Sequence, residues 1–232
     1  MDRERFSDGK LVPEPEDSDA GDAEGKDPGR RRRLTQAERT ALSDTRMFNA
    51  AMQLISEQGA TRTTLKEICE QAGYSRGLAT YRFGSKDNFL QELLTHFNHA
   101  WVDQLSSYLE GKRGWDAIVA ANLALENFLI EYSRYMRGGY IIWYESIGSD
   151  SEVRRQLAHN HRAYRRDFEL WLRQGMDDCT VRKDIDVENL AVHYLTFVSG
   201  IIYQWLVNPE AVDLASNFAW FRGVMEREIA HD

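Results

Sequence analysis

The sequence predicts an all-α protein with a small N-terminal domain of three helices and a larger, all-helical C-terminal domain. Apolar residues recur every three or four positions along most of the chain, and glycine or polar stretches separate these segments. No stretch of useful length alternates apolar and polar residues as a half-buried strand does. With 232 residues, of which 42% are hydrophobic, the chain can bury a substantial core.

The first predicted helix runs from about Ser43 to Gln58 and ends at Gly59. Its apolar residues follow the i, i+3, i+4, i+7 pattern of one helix face, which we expect to pack against two shorter helices. That face consists of Met47, Ala50, Ala51, Leu54 and Ile55.

Two short helices joined by a glycine turn are predicted next. The first begins after the capping residue Thr64 and stops at Gly73, which can adopt the left-handed conformation. The second is expected to start with Ser75 as its cap and to end at Gly84. Two helices of about two turns around such a turn match the helix-turn-helix, whose second helix lies in the major groove of DNA.

This pattern supplies candidate DNA contacts. Side chains of the second short helix can reach phosphates or base edges, and Gly77 is small enough for the backbone to approach the duplex closely. Hydroxyl groups at helix N-termini also bind phosphate, although such a residue can equally serve as a cap and nothing more. The candidates are Thr63, Thr64, Ser75, Arg76, Gly77, Thr80, Tyr81, Arg82 and Lys86.

Residues 1–34 are expected to form a disordered acidic tail that ends in an arginine-rich arm. Residues 1–29 hold ten acidic and four basic side chains but few large apolar ones, so they cannot offset the entropy of ordering the chain. The four arginines at positions 30–33 form either a solvated charge cluster or an arm that contacts phosphates or a narrow minor groove. Under the second interpretation Arg33 joins the candidate DNA contacts.

The fourth predicted helix starts after Ser85 and continues as an apolar stripe to Tyr108. It is long enough to connect both halves of the molecule, so a small tilt of one half can be transmitted to the other. We assign residues 35–90 to a DNA-binding domain and residues 91–232 to a helical domain that binds ligand and dimerises. Further helices are predicted over residues 115–134, 138–147, 150–176, 186–207 and 210–230, with the first break at Gly138-Gly139.

Aromatic side chains crowd residues 97–205. Most of them are expected to be core, but pockets between the helices of a bundle are also mostly apolar, with a few placed polar groups. Aromatic residues that have polar neighbours therefore predict a site for a small, largely apolar effector, aromatic or acyl in character. The candidate ligand-binding residues are Asn98, Trp101, Asn122, Glu126, Tyr140, Trp143, Tyr144, Tyr164 and Phe168.

The last two helices form the predicted dimer surface. Ala191 to Val207 lacks Asp, Glu, Lys and Arg and reaches the shortest length of a membrane span, but its several polar residues favour a buried interface helix. Small residues within it allow close helix approach between two subunits, although the same residues can belong to the core of one chain. The candidates are Val192, Leu195, Ser199, Gly200, Tyr203, Phe221, Val224 and Met225.

Residues 45–94 resemble the DNA-binding domain of the TetR family of transcriptional regulators. The resemblance is carried by residues 57–59 (EQG), 64–68 (TLKEI), 72–77 (AGYSRG) and 83–87 (FGSKD). It implies that Lys86 contacts a phosphate. Thr80 and Arg82 depart from the pattern, because many members have a tyrosine at the first position and an aromatic residue or histidine at the second. The tyrosine-to-phosphate contacts of the family therefore cannot be carried over to these two residues.

The resemblance implies a ligand-responsive, sequence-specific regulator, most often a repressor, that binds a near-palindromic double-stranded DNA operator as a homodimer. One recognition helix contacts too few base pairs for specificity, so two copies are needed. The alternative is a helical small-molecule-binding protein without DNA-binding activity.

Catalysis, cofactors and metals are not expected. Glu92, His96 and His99 share one helix face with zinc-like spacing, but hydrogen-bonded or solvated histidines are the favoured interpretation. The two cysteines, Cys69 and Cys179, are far apart, and the N-terminal residues lack the apolar core of a signal peptide. These features predict a cytoplasmic, non-enzymatic protein.

Overall fold

The computed structural model describes residues 35–229 and folds them into nine α-helices. This confirms the all-α fold class. The predicted arginine arm, including Arg33, lies outside the described residues. The helices are α1 (Gln36–Gln58), α2 (Leu65–Gln71), α3 (Leu78–Phe83), α4 (Lys86–Leu109), α5 (Gly114–Glu131), α6 (Ser133–Ile147), α7 (Glu152–Asp177), α8 (Val187–Val207) and α9 (Leu214–Ile229).

Helices α1 to α3 pack around the first turns of α4. The ring of Phe48 on α1 lies 5.9 Å from that of Phe83 on α3 and 5.4 Å from that of Phe89 on α4. The sulfur of Cys69, which is fully buried, accepts a hydrogen bond of 3.2 Å from the amide of Ala79 and so fixes α3 against α2. These contacts bury the apolar face of each short helix, which could not be stable alone.

Local capping explains where two of these helices begin. Helix α1 starts seven residues earlier than predicted, because Thr35 and Glu38 form a reciprocal capping box. Thr64 and Glu67 form the same arrangement at α2, which confirms the predicted cap. The expectation that Ser75 caps the next helix was wrong. Helix α3 begins at Leu78 without a side-chain cap.

The C-terminal helices form a bundle in which α5 packs on α4 and α7, and α7 packs on α8. Its interior is rich in aromatic contacts. Phe128 lies 5.3 Å from the ring of Phe97 and 5.4 Å from that of Trp101, and Phe168 stacks on Tyr194 at 4.1 Å. Helix α4 passes through residue 90 without a break, so both halves of the molecule share this helix.

Helix α6 joins the bundle to α1. A helix break was predicted at Gly138-Gly139, but both glycines lie inside α6 and are buried. A Cβ atom on Gly138 would lie 2.7 Å from the sulfur of Met52 and 3.3 Å from its carbonyl oxygen. Gly138 therefore serves the close approach of α1 and α6 and does not end the helix. The hydroxyl of Tyr135 adds a short hydrogen bond to the side chain of Asn49 on α1.

We expect Gly138→Ala to lower the free energy of unfolding by about 1–3 kcal/mol, because the added methyl group overpacks the contact with fully buried Met52. The better helix propensity of alanine, about 1 kcal/mol, offsets part of this loss. Gly139→Ala is the matched control, since its Cβ would meet nothing within 4 Å. Thermal and denaturant unfolding check the prediction, which fails if both variants are equally stable.

Candidate functional site

The helix-turn-helix presents an exposed surface around the start of α3. Tyr81 is 91% exposed, and Arg76, Gly77 and Thr80 are also exposed. The guanidinium of Arg76 pairs with Glu70, but both side chains are largely in water, and an exposed pair of this kind contributes at most about 1 kcal/mol. Arg76 can therefore exchange this partner for a phosphate at little cost. Ser75 is exposed on the same turn.

Two candidate DNA contacts have other roles. Thr63 is only 1% exposed and donates a hydrogen bond of 2.8 Å to the carbonyl of Gly59, so the expectation that it faces DNA was wrong. Arg82 is half-buried, with its Nε atom 2.6 Å from a carboxylate oxygen of Asp44 on α1. Burial raises the pKa of Asp44 to about 6, while Arg82 acts in the opposite direction. The pair ties α3 to α1.

The loop between α1 and α2 is held from two sides. On one side, the carboxylate of Glu145 on α6 accepts hydrogen bonds from the amide of Ala60 at 3.1 Å, and from the amide and hydroxyl of Thr61 at 2.7 and 2.6 Å. On the other side, the ammonium of Lys86 donates to the carbonyl of Thr61 at 3.0 Å. A Cβ on Gly59 would lie 2.9 Å from the Glu145 carboxylate, so only glycine permits this approach.

A cavity of about 120 Å³ lies between α4, α5, α6, α7 and α8. Five of the predicted ligand residues line it, namely Asn98, Trp101, Tyr140, Trp143 and Tyr164. The hydroxyl groups of two of these tyrosines lie close to polar atoms of neighbouring residues. Tyr164 donates to Asn98 at 2.7 Å, and Tyr140 is 3.4 Å from the carbonyl of Ser199. Burial raises the pKa of Tyr164 to about 12 and that of Tyr140 further, so both stay protonated.

The other four predicted ligand residues lie outside this lining. Asn122 is buried and bonds to the carbonyl of Ile118 and the hydroxyl of Tyr194. Glu126 lies 3.8 Å from the guanidinium of Arg222. Tyr144 is 51% exposed on the outer side of α6, and Phe168 is core beneath the Tyr194 ring. The expectation that these four residues line the ligand site was wrong, because helical spacing does not distinguish the wall of a cavity from the core or the outer face beside it.

The predicted dimer residues divide into three groups. Val192 and Tyr203 are 47% and 46% exposed, and a Cβ on Gly200 would meet nothing within 4 Å, so these positions of α8 are open. Leu195 and Ser199 line the cavity instead. On α9, Phe221 stacks on Phe197 at 3.6 Å and Val224 is half-buried, while Met225 is 3% exposed in the core, so the expectation that Met225 lies on the surface was wrong.

Helix α8 has a high mean hydropathy, yet much of it is uncovered, and its exposed side mixes apolar residues such as Val192 and Val207 with polar ones such as His193 and Gln204. Within residues 35–229 it alone has the length and apolar composition that could cross a membrane, and 28% of its most apolar window is buried. Such a composition is also typical of core and interface helices.

The sequence GYSRG at residues 73–77 has the G-x-S-x-G spacing of a hydrolase nucleophile elbow. That motif works on a sharp turn between a strand and a helix. Here Ser75 follows helix α2 and precedes α3, so the strand that would present the nucleophile is replaced by a helix. The glycines serve the turn. Gly73 has a φ of 78°, in the left-handed region.

Comparison with known proteins decides the family. Residues 48–93 match the model described as "Bacterial regulatory proteins, tetR family". The chain belongs to the TetR family. Two regulators of Pseudomonas putida, the probable HTH-type transcriptional regulator ArpR and the HTH-type transcriptional regulator TtgR, are each 28% identical over 173 residues, which is 72% of this chain and 82% of each relative. Among solved structures, a SmeT–triclosan complex superimposes with a TM-score of 0.69 at 21% identity, covering 82% of this chain and 92% of that one.

Membership of the TetR family makes this chain a DNA-binding transcriptional regulator. The relatives are bacterial regulators, which fits a protein that is not an enzyme.

Several residues of this TetR-family chain that contribute to the site were not predicted from the sequence. Glu145 contacts a loop that is 84–85 positions away in the sequence, which no local pattern signals. His161, Asp167 and Trp171 also line the cavity from α7, but a histidine and an aspartate on a highly charged helix and one tryptophan among many aromatic residues gave no signal that singled them out.

Proposed function

We propose that this TetR-family regulator is a cytoplasmic repressor that binds a near-palindromic operator as a homodimer and changes its DNA affinity when a small molecule occupies the aromatic cavity. The observation that carries this proposal is helix α6. Its side chains Met136, Tyr140 and Trp143 line the cavity, and its Glu145 holds the loop that begins the helix-turn-helix. In this proposal residues 35–90 read DNA, and residues 91–232 bind the effector and dimerise.

The proposed DNA surface comprises the accessible candidates. The guanidinium of Arg76 and the phenol of Tyr81 protrude furthest, while Thr80 and Gly77 allow close approach of the helix. Thr64 and Lys86 lie at helix N-termini, where amide dipoles favour phosphate, and Ser75 is exposed on the turn before α3. The bond from Lys86 to Thr61 leaves two of its three N–H donors for DNA. Arg82 acts indirectly in this proposal, by fixing α3 on α1 through Asp44.

The operator can be found by selecting bound DNA from a random pool. Arg76→Ala and Tyr81→Ala are each expected to weaken operator affinity by roughly 5- to 100-fold, because each removes a contact to base edges or phosphates. Arg162→Ala, which removes an exposed arginine on α7, is the control and should bind as wild type does. Fluorescence anisotropy at several salt concentrations measures the affinities. Wild-type affinity in both helix-turn-helix variants would contradict the proposal.

The homodimer is proposed from the uncovered face of α8. Val192, Gly200, Tyr203 and Val207 form one stripe along this helix, and Val207 is 65% exposed. Trp220 on α9 adds another large apolar side chain that is 63% exposed. A two-fold axis would pair this face with its copy, and Gly200 would let the two α8 helices approach closely. The paired subunits would present α3 helices about 34–36 Å apart, as successive major grooves require.

We expect Val192→Glu to convert the dimer to monomers and to abolish tight operator binding, because it buries an unpaired charge within the interface. Val102→Glu on α4 is a closely matched control, since Val102 and Val192 are both 47% exposed. Sedimentation velocity measures the oligomeric state. Monomeric wild-type protein, or identical behaviour of the two variants, would exclude this interface.

In this proposal, helix α6 couples the effector site to the DNA-binding surface. A ligand that displaces Tyr140 or Trp143 moves a helix that is packed too closely on α1, at Gly138, to shift alone. The carboxylate of Glu145 transmits that movement to the amides of Ala60 and Thr61, which lie directly before α2. Ligand binding then favours the dimer state whose α3 separation fits the operator less well. A co-repressor would act through the same contacts with the opposite preference.

We expect Glu145→Ala to accelerate hydrogen exchange at the amides of Ala60 and Thr61 by about tenfold or more, because both lose a charged acceptor. Operator affinity should fall by about fivefold or more, within the usual range of coupling energies. Glu152→Ala removes an exposed carboxylate of α7 and is the control. Unchanged exchange would show that the loop does not depend on Glu145, and unchanged affinity would show that the loop does not couple to DNA.

A further inference from the structure

Seven of the eighteen residues that line the cavity are aromatic. Ring side chains come from four helices that surround it, and indole groups, which attract cations most strongly among the aromatic side chains, are contributed by α4, α6 and α7. The aromatic lining residues are Phe97, Trp101, Tyr140, Trp143, Tyr164, Trp171 and Tyr194. A volume of about 120 Å³ is close to that of an engineered cavity of about 150 Å³ that takes up benzene. The cavity therefore suits a compact ligand.

The charges that line the cavity are of one sign. Among the lining residues in the part of the chain that the structure describes, Asp167 is the one carboxylate, and none is lysine or arginine. His161 lines the cavity from the same helix, but burial, helped by nearby Arg165, lowers its pKa, so it is neutral at pH 7. The cavity thus offers a negative charge and no positive charge to a ligand.

Asp167 lies at the open side of the cavity, because it is exposed and still contributes to the lining. Partial burial raises its pKa, although neighbouring Arg166 acts in the opposite direction. Burial therefore disfavours the charged form of this carboxyl group. A ligand cation placed beside it would favour the charged form.

The polar groups of the cavity wall offer an anionic ligand no charged partner, since none of the lining residues within the described residues 35–229 is lysine or arginine. The hydroxyl of Tyr164 donates to Asn98, and that of Tyr140 lies near the carbonyl of Ser199, so both donors are engaged. The indole N–H of Trp143 is a buried donor without a hydrogen-bond partner in the described structure. It could hold one neutral oxygen, but a carboxylate would also meet the repulsion of Asp167. The acyl ligand expected from the sequence is thereby disfavoured in its ionised form.

We propose that the effector is a compact organic cation, with a quaternary or tertiary ammonium group on an aromatic or branched apolar body, whose charge is recognised by Asp167 and the surrounding aromatic rings. This inference rests on the proposed role of the cavity as the effector site. The apolar body occupies the interior against Trp101 and Trp171, and the ammonium group faces the carboxylate at the open side.

Three probes of nearly one shape test the charge preference directly. They are the cation 3-hydroxyphenyltrimethylammonium, the neutral 3-tert-butylphenol and the anion 3-tert-butylbenzoate, each titrated into the full-length protein by calorimetry. The cation should bind about tenfold more tightly than the neutral probe, as a desolvated cation–π contact and a nearby carboxylate provide, and the anion least tightly. The same titrations in the presence of operator report whether each probe changes DNA affinity.

Substitution of Asp167 separates charge recognition from packing. Asp167→Asn should abolish the preference for the cation and leave the affinity for the neutral probe within about twofold, since only the charge changes. Asp167→Glu should retain most of the preference. Glu169→Gln, on the same helix but outside the cavity lining, is the matched control and should behave as wild type.

Equal or tighter binding of the neutral probe, failure of the cation to bind, or an unchanged preference in Asp167→Asn would overturn the inference. If the neutral probe binds and alters operator affinity, and the cation binds no more tightly than the neutral probe, the cavity remains the effector site and only the proposed ligand class is rejected. If the cation binds at Asp167 without any effect on operator affinity, the ligand class stands and the effector role fails.

Discussion

The close contact between α1 and α6 is the constraint on which the rest of the molecule depends. It is made where Gly138 meets Met52, where Tyr135 bonds to Asn49, and where Glu145 reaches the loop after α1. Close-packed interiors resist continuous deformation, so two helices joined at three levels tend to move as one body. Because α6 also forms a wall of the cavity, a change of cavity shape cannot be confined to the bundle.

Some polar side chains of the N-terminal helices and loops stabilise the fold, although the sequence predicts that they contact DNA. Thr63 and Arg82 look like DNA contacts in the sequence, but one bonds to the backbone of its own loop and the other pairs with Asp44. Both fix the geometry of the short helices, which bury too little apolar surface to hold it alone. Among the residues proposed to contact DNA, Tyr81 is the most exposed.

Helical periodicity predicted the all-α class and the helix-turn-helix, and aromatic residues with polar neighbours predicted five residues of the cavity wall. Predictions from periodicity were wrong where the feature that determines the local structure does not repeat along the helix. Leu42 is the one large apolar side chain within residues 36–42, so no apolar pattern marked the first two turns of α1 and they were missed. A helix break was predicted at Gly138 because the sequence does not distinguish a glycine that permits close helix packing from a glycine that forms a turn. Asn122 and Phe168 show that spacing identifies the buried face of a helix without distinguishing the wall of a cavity from the core beside it.

The uncovered face of α8 links the folding of each chain to its abundance in the cell. In the proposed dimer much of the apolar surface of α8 is removed from water only when two chains meet, so part of the stability arises from association and increases with protein concentration. A dilute chain would lose that contribution together with the paired recognition helices. The amount of regulator in the cell would then set both its persistence as a folded protein and the steepness with which the operator fills.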